Sequence, residues 1–256
     1  GPDRTGCNFC GNCMVGCRFN AKNTLDRNYL YLAEQLGAEI LPETEVTDIL
    51  QMQNKSYRII TKKSTGIFHT KKEITCNNIV MAAGVLGTVK LLMSCLQRGS
   101  LSKLSNCLGQ YVRTNSEAIV GTRTGRKFRK NLNNGVAISA GYYPEKDNHI
   151  EAVRFGKGNG ALSFLTTFMV SRRGNAPQVI KWFAAFIKQP LKVLKAMNPI
   201  GWASLSIILL VMQPKSNYLK LKFERRWWRF GKHTINSSLS AAGNIPSSIP
   251  AGDDAA

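Results

Sequence analysis

The sequence is short of acidic residues, and this shortage narrows the partners that the protein can have. Its 15 Asp and Glu stand against 35 Lys and Arg, which gives a formal net charge of +20. Between residues 152 and 252, fifteen basic residues accompany a single acid, Glu224. A charge this one-sided favours nucleic acid, phospholipid headgroups or an acidic protein. Nucleic acid is not predicted, because the sequence has no C2H2 spacing, no RNP1-like aromatic run and no internal repeat.

The sequence also lacks a long apolar run and a visible targeting segment. The most apolar uncharged stretch, residues 198–214, is interrupted by Pro199 and Gly201 and is too short to predict a membrane span. No basic segment followed by an apolar one stands at the start, so no signal peptide is visible. We therefore expect a cytoplasmic location or one peripheral to a membrane. Because the chain starts at Gly1 and reaches a motif almost at once, we also expect a fragment or a processed chain.

Four of the seven cysteines lie within eleven residues. They follow the spacing C-x2-C-x2-C-x3-C and are Cys7, Cys10, Cys13 and Cys17. This spacing is typical of a [4Fe–4S] cluster, which would make the protein an iron–sulfur electron carrier. Ferredoxins place proline after the fourth cysteine, whereas here Arg18 follows, and the motif is not repeated. Structural zinc is a further alternative. An odd number of cysteines argues against a secreted disulfide scaffold.

The first part of the chain has an α/β pattern. The spacing of apolar residues predicts a helix over residues 23–36 and a small antiparallel meander from residue 45 to residue 75. Residues 79–84 form a wholly apolar run, which predicts a strand buried on both faces of a parallel sheet. A helix follows from residue 85, and its N-terminus would suit a phosphate.

Beyond residue 111 the pattern changes to an α+β one. Antiparallel strands are predicted at 135–143 and 205–213, with a basic, aromatic helical pair at 177–197 that is broken at Pro190. We therefore predict one domain over residues 1–111, a second over 112–236, and a flexible tail over 237–256.

Four motifs follow one another along the chain. They are the cysteine segment with its continuation to residue 38, the run IVMAAGVLGT at 79–88, VRTNSE at 112–117 and HIEAVRFGKG at 149–158. In this order they resemble the glucose–methanol–choline flavin oxidoreductases, and among these the cholesterol-oxidase-like branch. The resemblance covers most of the chain from residue 11 to residue 158 and is weaker over 207–250.

The resemblance implies an incomplete FAD-binding, Rossmann-like domain followed by an antiparallel-sheet substrate domain. It further implies FAD-dependent oxidation of a 3-hydroxysteroid, or of another hydrophobic alcohol, to the ketone. In this branch a glutamate also acts as the base that isomerises the 5-ene to the 4-ene ketone. Glu151 falls where that glutamate is expected, and its apolar neighbours along the chain would desolvate its carboxyl group. The alternative is a glutamate on a solvated strand face.

Three further residues are expected near the cofactor on the same resemblance. Val46 resembles a position whose backbone contacts adenine, Gly84 a glycine where the sheet approaches FAD, and Asn115 a position close to the flavin. Each also has a simpler interpretation, as a core valine, a turn glycine and a turn asparagine.

Two features of the family are missing from the sequence. It has no G-x-G-x-x-G fingerprint before the cysteines, and none of its three histidines, His69, His149 and His233, stands in the context of the family's catalytic histidine. We read these histidines as surface residues. This chain alone is therefore expected to hold FAD poorly and to be inactive.

A non-catalytic function is also open for the basic second half. Residues 178–197 combine aromatic and aliphatic side chains with four lysines, which is typical of a helix at an anionic membrane surface. The alternative is an amphipathic lid over the substrate domain, and the two interpretations are compatible.

Overall fold

The computed structural model describes residues 2–67, 69–114, 116–125, 131–170, 176–214, 218–225, 227, 231, 233–239, 249 and 252. The chain divides into two compact units. Unit 1 comprises residues 1–32, 115–215 and 246–256, and unit 2 comprises residues 33–114 and 216–245. Each unit draws on separate stretches of sequence, whereas the sequence analysis predicted domains that are continuous along the chain.

The predicted helix at 23–36 is a short 3-10 turn, Leu25–Arg27, followed by helix α1, Tyr29–Gln35. Unit 2 then forms the predicted meander from strands β1 (Thr44–Gln51), β2 (Tyr57–Lys63) and β3 (Lys71–Cys76). Ile49, Ile59 and Ile74 lie opposite one another across the three strands. Helix α2, Gly84–Arg98, ends at Gly99, whose φ of 78° is the left-handed conformation that closes many helices.

The strand predicted at residues 79–84 is absent from the described structure. Residues 79–83 have no ladder partner, Val80 is 89% exposed, and Gly84 already belongs to α2. A strand that is buried on both faces needs a neighbouring strand and two covering layers. The three-stranded meander supplies none of these, because it pairs only within itself. The prediction is therefore wrong for this structure, which combines helices with antiparallel sheets.

Unit 1 is built on a four-stranded antiparallel sheet with the order β4-β7-β6-β5. The strands are β4 (Ala118–Arg123), β5 (Ile138–Glu145), β6 (Asn148–Val153) and β7 (Ser206–Met212). One face of this sheet carries the core, where Ile150, Leu209 and Val211 pack with Ile249. Burying each of these side chains contributes about 1.5–3 kcal/mol. Because successive side chains of a strand point to opposite sides, the residues that alternate with these core residues lie on the opposite face. This second face is more open.

The predicted helical pair is confirmed as α3 (Gln178–Lys188) and α4 (Pro190–Met197), followed by α5 (Trp202–Leu205). Pro190 opens α4, a position where proline costs no hydrogen bond. The guanidinium group of Arg123 lies at the other end of α4. Its Nη1 donates to the carbonyls of Lys195 (2.6 Å) and Asn198 (2.7 Å), and its Nη2 donates to that of Ile200 (2.8 Å). These bonds satisfy carbonyls that the end of a helix leaves open.

Strands β8 (Leu219–Arg225) and β9 (His233–Leu239) form a two-stranded sheet in unit 2. Residues 237–239 therefore belong to a strand, and the flexible tail predicted from residue 237 starts too early. Ile249, also inside that predicted tail, is buried in the core of unit 1. None of the helices in the described part of the chain is long and apolar enough to cross a bilayer.

Candidate functional site

Glu151 lies on the open face of the four-stranded sheet. Ile150, its neighbour in β6, points into the core, so His149 and Glu151 share the opposite face. The register places Gly141 of β5 and Leu210 of β7 on either side of Glu151. The face is thus apolar on the β7 side and lacks a side chain on the β5 side.

The nearest basic group in the described structure to Glu151 is the imidazole of His149. The distance from His149 Nδ1 to Glu151 Oε1 is 4.0 Å, and both side chains are about 30% exposed. Arg154, the next cation along the chain, follows the end of β6 and is directed elsewhere. Its guanidinium group donates to the carbonyl of Asn134 and, at 3.0 Å, to the hydroxyl of Ser139.

Gly141 provides the space that this pair occupies. A Cβ atom added there would lie 2.5 Å from His149 Nε2 and 3.4 Å from Glu151 Cγ. Tyr143, two residues along β5, stacks on the imidazole ring with centroids 4.6 Å apart and planes 15° apart. The ring of His149 therefore has a defined position beside Glu151. His149 was predicted to be a surface residue, and no strand was predicted here; in the structure β6 gives His149 and Glu151 an i, i+2 spacing that places both on one face.

The predicted cofactor contacts Val46 and Gly84 lie in unit 2. Val46 is opposite Thr61 in the β1–β2 ladder and adjoins a β-bulge between Val46 and Asp48. Gly84 opens α2 with φ of +68°, a conformation that side chains disfavour. No described atom lies within 4 Å of a Cβ built on Gly84, so its backbone is open to a ligand. Asn115 lies outside the described residues.

A second carboxylate, Asp48, fastens β1 to the C-terminal end of α2. It accepts hydrogen bonds from Ser100 Oγ (2.6 Å) and from the N–H of Ile49 (3.0 Å), and it pairs with Arg98 Nη1 (3.2 Å). Burial alone would raise the pKa of Asp48, but hydrogen bonds from Ser100, Cys95 and Arg98 outweigh it and lower the pKa below its ordinary value. The role of this carboxylate is therefore structural, since it joins β1 to α2.

The four clustered cysteines are free thiols in the structure. The N–H of Phe9 donates to Cys7 Sγ (3.4 Å), and that of Ala21 donates to Cys17 Sγ (3.3 Å). Backbone N–H groups of Ala21, Lys22 and Phe19 lower the pKa of the Cys17 thiol. Among the described residues, which include all four cysteines, no group of three or more Cys, His, Asp or Glu side chains is arranged to hold a metal ion. The iron–sulfur and zinc alternatives gain no support from this geometry.

Known proteins resemble this chain over most of its length. Residues 2–100 match the GMC oxidoreductase family. A cholesterol oxidase of Acinetobacter baumannii is 38% identical over 239 residues, which are 91% of this chain and 43% of that protein. A cholesterol oxidase of Mycobacterium tuberculosis is also 38% identical, over 241 residues that cover 89% of this chain and 41% of that protein. The chain thus spans about two fifths of the length of these two relatives.

Proposed function

We propose that this chain, which belongs to the GMC oxidoreductase family through its residues 2–100, forms part of an enzyme that oxidises the secondary alcohol of a sterol. Membership of this family and the similarity to cholesterol oxidases imply FAD as the cofactor. The observation that carries the proposal is the open face around Glu151, which lies in the part of the chain that is similar to cholesterol oxidases.

The open face suits a flat, apolar substrate. In the ladder register, Ile208, Leu210 and Met212 of β7 share this face with Ile119 and Gly121 of β4. Ile119 is 70% exposed, and the side chain of Ile208 lies over Gly121, where an added Cβ atom would come within 2.9 Å of Ile208 Cδ1. A rigid ring system laid here would remove this apolar area from water, which is the main source of affinity for such ligands.

The residues of unit 2 fit contacts with FAD. The open space and left-handed backbone at Gly84 suit a glycine that a cofactor approaches closely, and the bulge beside Val46 breaks the regular ladder of β1. We propose that the backbone of Val46 holds the adenine, that Gly84 lies against the cofactor, and that Asn115 lies near the flavin. We further propose that unit 2 is part of a Rossmann-like, FAD-binding domain.

The chemistry that FAD would supply when bound is acceptance of the hydride from the carbinol carbon; the hydroxyl proton is lost to a base, and the ketone remains. Glu151 then acts on a 5-ene ketone as a base. Its carboxylate removes a proton from carbon 4, next to the carbonyl, and the electron pair moves through the dienolate. The same carboxyl group returns the proton to carbon 6, so the double bond shifts to the 4-ene position with no net loss of atoms or charge.

We propose that this chain alone does not turn over. Its sequence has neither the G-x-G-x-x-G fingerprint nor a histidine in the expected catalytic context. Oxidation is expected from the full-length, FAD-loaded protein, with a 3β-hydroxy-5-ene sterol as substrate and the ketone as product. A full-length protein that carries FAD but leaves every such sterol unchanged would contradict the proposal.

The role of Glu151 is tested by comparing Glu151→Gln with Glu145→Gln in that protein. Glu145 lies in the same sheet, but its carboxylate is occupied by the amide of Asn148 (2.6 Å). We expect the ratio of isomerisation to oxidation to fall at least about 100-fold in Glu151→Gln and to stay unchanged in Glu145→Gln. An unchanged ratio in Glu151→Gln would exclude Glu151 as the base.

A second proposed function is attachment of helices α3 and α4 to an anionic membrane surface. Six apolar side chains of these helices are more than half exposed, namely Val179, Ile180, Phe183, Ile187, Leu191 and Leu194. The helices carry Lys181, Lys188, Lys192 and Lys195 and no acidic residue. Apolar area combined with basic charge is what supports binding to anionic lipid, and a sterol has to be drawn from a bilayer.

Sedimentation with liposomes tests this attachment. The protein is expected to sediment with vesicles that contain anionic phospholipid and to be released by salt, because the charge contribution is screened. Replacing the four lysines by glutamine is expected to abolish sedimentation, whereas replacing three lysines of the β1–β3 meander by glutamine, namely Lys55, Lys71 and Lys72, is expected to leave it unchanged. Equal sedimentation of both variants would contradict the proposal.

A further inference from the structure

We infer that His149 is a positioning residue for Glu151, an inference that rests on the proposed role of Glu151 as a base. The two side chains lie on the same face of β6, with His149 Nδ1 4.0 Å from Glu151 Oε1. In the described part of the chain, the four clustered cysteines and the cavities that adjoin α1 and α2 carry no comparable arrangement of a base and a partner.

The imidazole ring is held from two sides. Tyr143 stacks on one face of the ring at 4.6 Å. Gly141 lies against its edge, so close that a Cβ atom would approach Nε2 to 2.5 Å. With Nε2 directed at the backbone of β5, Nδ1 is the nitrogen that faces Glu151. The ring is therefore held with Nδ1 facing the carboxylate of Glu151.

The distance between the two groups suits a base that has to move. At 4.0 Å, His149 and Glu151 are within the range of an ion pair but too far apart for a direct hydrogen bond. A carboxyl group that takes a proton at carbon 4 and returns it at carbon 6 has to reach both carbons. His149 restricts the carboxylate of Glu151 to this part of the face but does not occupy its lone pairs. The partners of Asp48, in contrast, do occupy the lone pairs of that carboxylate.

The surroundings of Glu151 leave His149 as the main electrostatic partner of its carboxylate. Among the described residues, the β7 side of Glu151 is apolar, with Leu210 and Met212 opposite the pair. On the β5 side, Arg154 is bound to Asn134 and Ser139. The electrostatic interaction between an imidazole and a carboxylate is stronger in such surroundings than at a fully hydrated surface.

The inference is tested in the full-length, FAD-loaded protein by measuring isomerisation and oxidation separately for His149→Ala, His149→Asn, Glu151→Gln and the double variant. In His149→Ala we expect the ratio of isomerisation to oxidation to fall about 10-fold, through kcat rather than KM, because the carboxylate is misplaced. His149→Asn, which keeps an N–H donor near the position of Nδ1, is expected to recover part of the loss. In the Glu151→Gln background, His149→Ala is expected to cause no further loss.

The outcomes separate this inference from the proposed function. If Glu151→Gln isomerises normally, the role of Glu151 as a base is wrong and the inference falls with it. If Glu151→Gln fails but His149→Ala isomerises normally, only the inference is wrong. Additive losses in the double variant, or equal losses of oxidation and isomerisation, would also overturn it. Thermal unfolding of each variant identifies a loss that is due to misfolding, and Tyr143→Ala then replaces His149→Ala as the test, with the same expected fall in the ratio.

Discussion

Asp48 in unit 2 and Glu151 in unit 1 are carboxylates of similar exposure in opposite situations. Their side chains are 18% and 28% exposed. Asp48 accepts two hydrogen bonds of 3.0 Å or less and pairs with Arg98 at 3.2 Å. Among the described residues, Glu151 has one basic neighbour, the imidazole of His149 at 4.0 Å, and it lies on an apolar face beside a glycine. The degree of burial therefore does not distinguish these carboxylates, whereas the occupation of their oxygen atoms does.

This difference separates a carboxylate that joins parts of the fold from one whose oxygen atoms are available for the proposed role as a base. Taking a proton from a substrate would cost Asp48 the bonds that join β1 to α2. Glu151 has lone pairs available, so it would lose few stabilising interactions when it accepts a proton. The comparison implies that replacing Asp48 should mainly reduce stability, whereas replacing Glu151 should mainly reduce the proposed isomerisation.

The largest expected difference is in stability. Asp48→Asn leaves Arg98 without its ion pair and weakens the bonds to Ser100 and Ile49, so we expect the free energy of unfolding to fall by about 2 kcal/mol. Glu151→Gln removes no close hydrogen bond and is expected to change it by less than about 0.5 kcal/mol. Urea unfolding of the purified variants measures both values. Equal losses would remove the distinction between the two carboxylates.

A smaller effect is expected from filling the space beside Glu151. Gly141→Ala places a methyl group 2.5 Å from His149 Nε2, and the stacked Tyr143 limits how far the ring can move. We expect a loss of about 1 kcal/mol. Gly125→Ala is the control, since no described atom lies within 4 Å of its added Cβ, and it should be nearly neutral. A neutral Gly141→Ala would show that the pair does not need this space.

The smallest effect concerns pH. Because the folded state lowers the pKa of Asp48 below its ordinary value of 3.8, Asp48 stabilises the fold fully above that value. Its contribution is lost as the pH falls through the lowered pKa. The hydrogen-exchange protection factors of β1 and the end of α2, which are corrected for the intrinsic exchange rate at each pH, should therefore fall as the pH drops below 3.8 in the wild type, and much less in Asp48→Asn. The same pH dependence in both would contradict the role of Asp48.

The sequence predicted the elements that depend on local patterns. The meander, α2 and the helices broken at Pro190 follow from periods of two and 3.6 residues and from proline chemistry. The candidate base was found from its motif, but its proximity to His149 was missed because no strand was predicted over residues 148–153. The contribution of Gly141 could not be predicted, because it depends on the register between β5 and β6.

Residues 79–84 and Ile249 show the limits of local patterns. An apolar run predicts burial but does not supply the neighbouring strands that burial requires, and Val80 is exposed here. Ile249 stands in a sequence rich in Ser, Pro and Gly, yet it packs against β6 and β7. In both cases the outcome is set by contacts between distant parts of the chain.

The most direct test of the account follows a labelled proton. The full-length, FAD-loaded protein is given a 3β-hydroxy-5-ene sterol that carries deuterium at carbon 4, and the product is examined by NMR for deuterium at carbon 6. We predict transfer of the label from carbon 4 to carbon 6 in the wild type, and accumulation of the unconjugated 5-ene ketone in Glu151→Gln. If Glu151→Gln forms the 4-ene ketone with the same transfer of label, Glu151 is not the base and the account is wrong.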